Sequence, residues 1–137
     1  MVVLFDRFNL PEDIYEVIFA TKQQKIVAKL LINNLKEKNG EITKTEMSLF
    51  ATKLHEGNLI THIDEPEYLG KKVKISYNKM QFYDRILTPM KSMGIIDFDL
   101  YKKTYRISDK FNKELIRIGL RWIKEFRRSP YTIKKNA

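Results

Sequence analysis

The sequence predicts an α+β, mostly helical fold, and three observations carry that expectation. Apolar residues recur at three- and four-residue spacing between recognisable helix caps. The period falls to two in one stretch, residues 96–107, which reads as a hairpin. A chain of 137 residues, 43% hydrophobic and 31% charged, can bury one core yet dissolve easily. That balance excludes a disordered or collagen-like polymer. The longest apolar stretches run only a few residues, so a membrane span of about 20 is excluded. MVVLFDRF lacks the basic start and small-residue cleavage site of a signal peptide. With no cysteine there is no disulfide framework, thiolate zinc site or cysteine nucleophile. A cytoplasmic location is expected.

Each element follows from its local chemistry. Residues 1–20 form an arm, in which Leu10-Pro11-Glu12-Asp13 opens a short helix with Ile14, Val17 and Ile18 on its apolar side. Thr21-Lys22-Gln23-Gln24 is a capping box, and the helix behind it carries Val27, Leu30, Leu31 and Leu35 until Asn39-Gly40. Glu41-Ile42-Thr43 is a short extended link. Thr43-Lys44-Thr45-Glu46 is a second capping box, opening a helix with Met47, Phe50, Ala51 and Leu54 that ends at Gly57. Residues 58–75 read equally as a small hairpin or an ordered loop. Ser76 is a good N-cap for a third major helix, with Met80, Tyr83, Leu87 and Met90 inward and Gly94 at its end. Pro89 should kink its last turn. Ile96-Asp97-Phe98 and Thr104-Tyr105-Arg106-Ile107 then pair around a basic tip, and Ser108-Asp109 caps a helix to about Arg128. Residues 129–137 are a basic tail.

Charge divides unevenly along this order. Residues 1–70 hold 8 basic and 11 acidic side chains, a net −3, whereas residues 71–137 hold 18 basic and 6 acidic, a net +12. Such asymmetry fits a surface that faces a polyanion. A lysine-rich solubilising surface explains it as well, since 19 of the 26 basic residues are Lys.

The element order decides between these readings. Leu87-Thr-Pro-Met90-Lys-Ser-Met93-Gly94-Ile95-Ile96-Asp97-Phe98, running on to Lys103-Thr104-Tyr105-Arg106-Ile107-Ser108, resembles the winged helix-turn-helix superfamily. Apolar residues end a recognition helix, Gly and Ile follow, and the return strand of a wing stops at a Ser cap. The resemblance covers about residues 21–128 and implies a two-stranded wing with an extra C-terminal helix. Two features depart from it. About 18 residues separate the second and third major helices, against a 3–4-residue turn in a simple helix-turn-helix, and Pro89 is unusual in a recognition helix.

The resemblance implies double-stranded DNA as partner. The major groove accepts one α-helix. The helix opening at Ser76 and Tyr77 would present Asn78, Lys79, Gln81, Phe82, Arg85 and Thr88. Arg85 suits a guanine edge, and Asn78 or Gln81 an adenine. Lys79 and Lys91 suit phosphates. Wing and flank contacts would come from Tyr101, Lys102, Lys103, Thr104 and Arg106, with Lys71, Lys72 and Lys74 before the helix. Exposed helices ordinarily carry such residues, and aromatics such as Phe82 or Tyr83 more often sit in a core. The coincidence of these surfaces with the cationic half carries the expectation.

The last helix has two apolar stripes, Phe111, Leu115, Ile118, Trp122 and Ile116, Leu120, Ile123, Phe126. One side is expected to close the domain's own core. The other, through Leu115, Ile116, Ile123 and Phe126, would meet a second copy, joined by Leu4, Phe5, Phe8 and Leu10 of the arm. The rival is an arm and helix packed within one chain.

Nothing resembles a catalytic set or a cofactor fingerprint. His55 and His62, with Asp64 and Glu65 near, are too loosely spaced for a metal site. Leu69-Gly70-Lys71-Lys72 lacks the pattern of a phosphate loop. The expectation is a non-enzymatic, homodimeric transcriptional regulator at the nucleoid, with no cofactor and no metal. The alternatives are a replication initiator, or a protein-interaction module in a replication, transcription or repair assembly working through Glu12, Asp13 and Glu16 beside exposed Tyr15 and Phe19.

Overall fold

Both capping boxes close as their spacing requires. Thr21 Oγ1 accepts the Gln24 N–H at 3.1 Å while Gln24 Oε1 accepts the Thr21 N–H at 3.4 Å. Thr43 and Glu46 exchange the same pair of bonds, each 3.1 Å. They start the two long helices of the body, α2 (Lys22–Glu37) and α3 (Lys44–Glu56). Ahead of them α1 (Ile14–Ile18) is capped by Asp13, which accepts the Glu16 N–H at 3.1 Å. The computed structural model describes residues 7–8, 10–62 and 69–131.

α2 turns Val27, Ala28, Leu31 and Leu35 inward, and α3 turns Met47, Phe50, Ala51 and Leu54 onto them. That i, i+3, i+4, i+7 spacing is what a helix needs to bury one stripe. Between the helices, the link is β1 (Glu41–Thr43), the edge of a three-stranded antiparallel sheet in the order β1-β5-β4, where β4 is Ile96–Asp99 and β5 is Thr104–Ile107. Ile42 pairs with Tyr105, which pairs in turn with Phe98. Ile42, Ile96 and Tyr105 are buried beneath the helices. Burial pushes the Tyr105 phenol pKa up, with Tyr83 adding to the rise.

Residues 58–75 contain a second antiparallel ribbon, β2 (Leu59–His62) with β3 (Lys72–Ile75), in the register Leu59↔Ile75 to His62↔Lys72. The hairpin reading therefore holds for its two strands. Asp64, Glu65 and Pro66 lie outside the described residues.

The third major helix departs from expectation at its start and in its phase. Asn78, not Ser76, is the N-cap, its side chain accepting the Gln81 N–H at 3.0 Å. The helix is composite: α4 (Lys79–Gln81), a π-helical turn (Phe82–Leu87), then α5 (Thr88–Ser92). The Thr88 N–H reaches back five residues to the Tyr83 carbonyl. In a regular α-helix the Pro89 ring would meet the carbonyl of Arg85 and offer it no N–H, so a widened turn just before the proline relieves both problems. The extra residue rotates the first turn by about 100° against the rest. Phe82, Ile86, Leu87 and Met90 thus face the core, Tyr83 is half-buried, and Met80 is 74% exposed. Phe82 fills the centre, its ring 5.6 Å from Phe50 and 5.5 Å from Tyr83.

Gly94 turns the composite helix into the sheet with φ +79°, where a side chain would be strained and its Cβ would lie 3.4 Å from Lys110. Ile95 N–H closes the helix by bonding the Met90 carbonyl at 2.9 Å. The last helix, α6 (Lys110–Arg127), does not close the core: Phe111 is its only buried residue. Phe19, expected on the surface, is 5% exposed and belongs to the core, and Tyr15 is half-buried against it. That removes the apolar part of the acidic interaction surface, and Asp13 and Glu16 lie 3.9 Å from Lys29 and Lys25 respectively. Leu4, Phe5 and the tail lysines lie outside the described residues, while Phe8 and Leu10 are exposed. Among the described residues no helix is long and apolar enough to cross a membrane.

Candidate nucleic-acid interface

The composite helix buries one side and leaves the other open. Gln81, Arg85 and Thr88 are exposed away from its core residues, and none of their side chains bonds to another described side chain. Past the π turn, Arg85 and Thr88 lie opposite Phe82, Ile86 and Met90, with Gln81 to one side of them. Arg85 offers a planar fork of donors, and Gln81 a donor and an acceptor in one amide. Both can address base edges in a groove. Met80 joins them as a flexible apolar contact that the simple helical phase hid, and Asp84 beside Arg85 places one negative charge on the same surface.

Five of the eight expected helix contacts are engaged elsewhere or turned away. Phe82 is fully buried, for the phase reason given above. Tyr77 is 7% exposed, and its N–H is bonded to the Leu54 carbonyl at 3.0 Å. Ser76 precedes the cap, and its carbonyl accepts from Gln23 Nε2 at 3.2 Å. The Asn78 side chain is occupied in capping, which costs it the free oxygen that adenine recognition uses. The Lys79 ammonium folds back onto α3, donating to Thr52 Oγ1 at 3.0 Å and Ser48 Oγ at 3.4 Å. Its backbone N–H donates to His55 Nδ1 at 3.2 Å, so His55 acts as an acceptor at the junction of two helices.

The ribbon β4–β5 stands at the other end of the composite helix. Lys91 joins the two: its ammonium lies 5.7 Å from the Phe98 ring centre and 5.9 Å from that of Tyr105. It is therefore a packing contact. The tip is built by Asp99, whose Oδ1 accepts the N–H groups of Tyr101 at 2.9 Å and Lys102 at 3.1 Å. The bond from Lys102 is the main reason its carboxyl pKa is held below the usual carboxylate value. Lys103 takes a left-handed φ of +54° to complete the turn. Tyr101, Lys102 and Lys103 project into solvent, Tyr101 at 99% exposure. Thr104 instead donates to Glu41 Oε1 at 2.7 Å, and Arg106 lies 3.8 Å from Asp97. Lys71, Lys72 and Lys74 are exposed on and beside β3, which leads through Ser76 and Tyr77 into the composite helix.

Charge is less concentrated here than the halves of the sequence suggested. Residues 71–109 hold nine basic and four acidic side chains, a net +5, while residues 110–137 hold nine and two, a net +7. More than half of the cationic excess thus belongs to α6 and the chain beyond it. Neither a family model, nor a curated protein, nor a solved structure matches this chain.

Proposed function

We propose that the protein is a winged helix-turn-helix that binds double-stranded DNA and acts as a sequence-specific transcriptional regulator, without catalysis. In this reading α2, α3 and the composite helix form the helical body, and β1-β5-β4 is the small sheet from which the wing projects. The observation that carries it is the exposed set Gln81, Arg85 and Thr88 on a helix whose other side is core, followed by a ribbon with the exposed tip Tyr101–Lys103. The set would lie along base edges, and the lysines would lie on phosphates, setting register without reading sequence. The β2–β3 ribbon, in place of a tight turn, adds Lys71, Lys72 and Lys74 on the approach to the helix.

Selection from a random duplex library by the full chain tests this. Enrichment of a defined motif is the expected result. Equal retention of all duplexes would leave only an architectural role, and no retention at moderate salt together with capture of a stable protein partner would replace the reading with an interaction module.

A further inference from the structure

We propose that α6 is a self-association helix: two copies of this chain pair along their α6 apolar faces, running in the same direction. The proposal does not depend on the nucleic-acid reading.

Among the described residues, the helix is held to the body by hydrogen bonds and ion pairs of its first turn. Lys110 Nζ lies 3.1 Å from Asp97, and Phe111 N–H donates to the Gly94 carbonyl at 3.3 Å. Beyond Phe111, every residue to Arg127 is exposed. Along its own length this 18-residue helix, about 27 Å long, is braced by weak surface pairs such as Arg117–Glu114 at 3.2 Å and by the Trp122 and Phe126 rings, 6.3 Å apart. Yet Leu115, Ile116, Ile118, Trp122, Ile123 and Phe126 are between 44% and 78% exposed. With Leu120 they leave on the order of 700 Å² of apolar surface open, more than a monomer usually leaves in one patch. It matches the roughly 800 Å² that each partner buries in a standard interface.

Two features of the helix say what covers it. At about 100° per residue these side chains span an arc of roughly 200°, and Gly119 falls at the middle of that arc and of the helix. Among the described residues, nothing beyond its chain neighbours and the backbone of its own helix lies within 4 Å of where a Gly119 Cβ would be. Gly is the poorest helix former after Pro, and its use here suits the close approach of another helix backbone. Second, the two edges of the arc carry opposite charge. Glu114 and Glu125 border one edge, and Lys113 and Lys124 border the other. A helix lying on anionic lipid would be served by cations on both edges, as amphipathic membrane-surface helices are. Two copies running the same way instead bring the Glu114 and Glu125 edge, which Arg117 and Arg128 of the same chain brace at 3.2 and 3.6 Å, beside the partner's Lys113 and Lys124 edge. Running oppositely, they set like against like.

The absence of cysteine makes the test direct. Single Leu115→Cys and Phe126→Cys variants of the full chain should each form disulfide-linked pairs with themselves under mild oxidation, because a same-direction pair brings equal residues together along its whole length. If neither links to itself but Leu115→Cys links to Ile123→Cys, the direction proposed is wrong. Light scattering of the unmodified chain should give twice the 16.4 kDa chain mass. Trp122→Asp should weaken pairing roughly 30-fold or more, with the melting of the body unchanged, since α6 beyond Phe111 supplies no core. A single-chain mass at about 100 μM, with or without co-sedimentation on phosphatidylserine-containing vesicles, overturns the proposal, the vesicle-bound case in favour of a lipid surface. A mass above two chains overturns it as well.

Discussion

Replacing Phe82 by alanine should cost about 3–5 kcal/mol of folding stability, whereas replacing Met80 should cost less than about 0.5 kcal/mol. The first figure follows from a ring with no solvent exposure that packs against Phe50 and Tyr83 at the centre of the core. Its removal leaves a cavity that α2 and α3, fixed by their caps and packed stripes, cannot fully collapse into. The second follows from a side chain that is 74% exposed, and alanine is the better helix former. Urea unfolding at 25 °C, followed by tyrosine fluorescence and far-ultraviolet circular dichroism, reads both. With a slope of about 2 kcal/mol per molar, the Phe82→Ala midpoint falls by about 2 M and the Met80→Ala midpoint barely moves. An uninterrupted α-helix makes the opposite forecast, because it turns Met80 inward and Phe82 out. A loss above about 2 kcal/mol for Met80→Ala with under 1 kcal/mol for Phe82→Ala would refute the π turn and the outer face built on it.

Arg85→Ala should leave stability within about 0.5 kcal/mol of the parent, as an exposed substitution does, and relax preference at one base position by about 1–3 kcal/mol in competition binding. Unchanged discrimination at every position would remove Arg85 from the reading face. Thr43→Ala should cost about 1 kcal/mol by opening the α3 capping box, measurable in the same urea titration; no loss would mean the cap contributes nothing. The Glu46 carboxyl in that box has its pKa lowered from 4.5, chiefly by the hydrogen bond from the Thr43 backbone. A lowered folded-state pKa stabilises the fold above about pH 4.5, and that stabilisation is lost as pH falls through the folded value. Glu46→Gln should therefore flatten the stability profile below pH 4.5, and an unchanged acid limb would contradict the box as the cause.

Local chemistry was legible in the sequence, and contacts between distant segments were not. Thr21 with Gln24, Thr43 with Glu46, and the stops at Gly40, Gly57 and Gly94 are each decided within a few residues, so spacing alone located them. The pairing of Ile96–Asp99 with Thr104–Ile107 was legible for the same reason. β1 joins that sheet through a partner more than sixty residues away, which no local pattern announces. A π turn changes helical phase by one residue, and Pro89 marks only where a disturbance belongs, not which side the first turn faces. Lys79 looked like a phosphate ligand because its acceptors, Ser48 and Thr52, lie on another helix. In α6 the pattern specified a wide apolar arc but not what covers it, because amphipathicity is the same whether the occupant is the chain's own core or another molecule.

The most direct test of the central claim is the dependence of duplex affinity on salt, measured by fluorescence anisotropy for the full chain and for Lys102→Ala. The account predicts that log affinity falls linearly with log salt concentration and that the variant lowers the slope by about 1 on every duplex alike. A flat salt dependence, or a variant that alters preference for one sequence while keeping the parent slope, would contradict it.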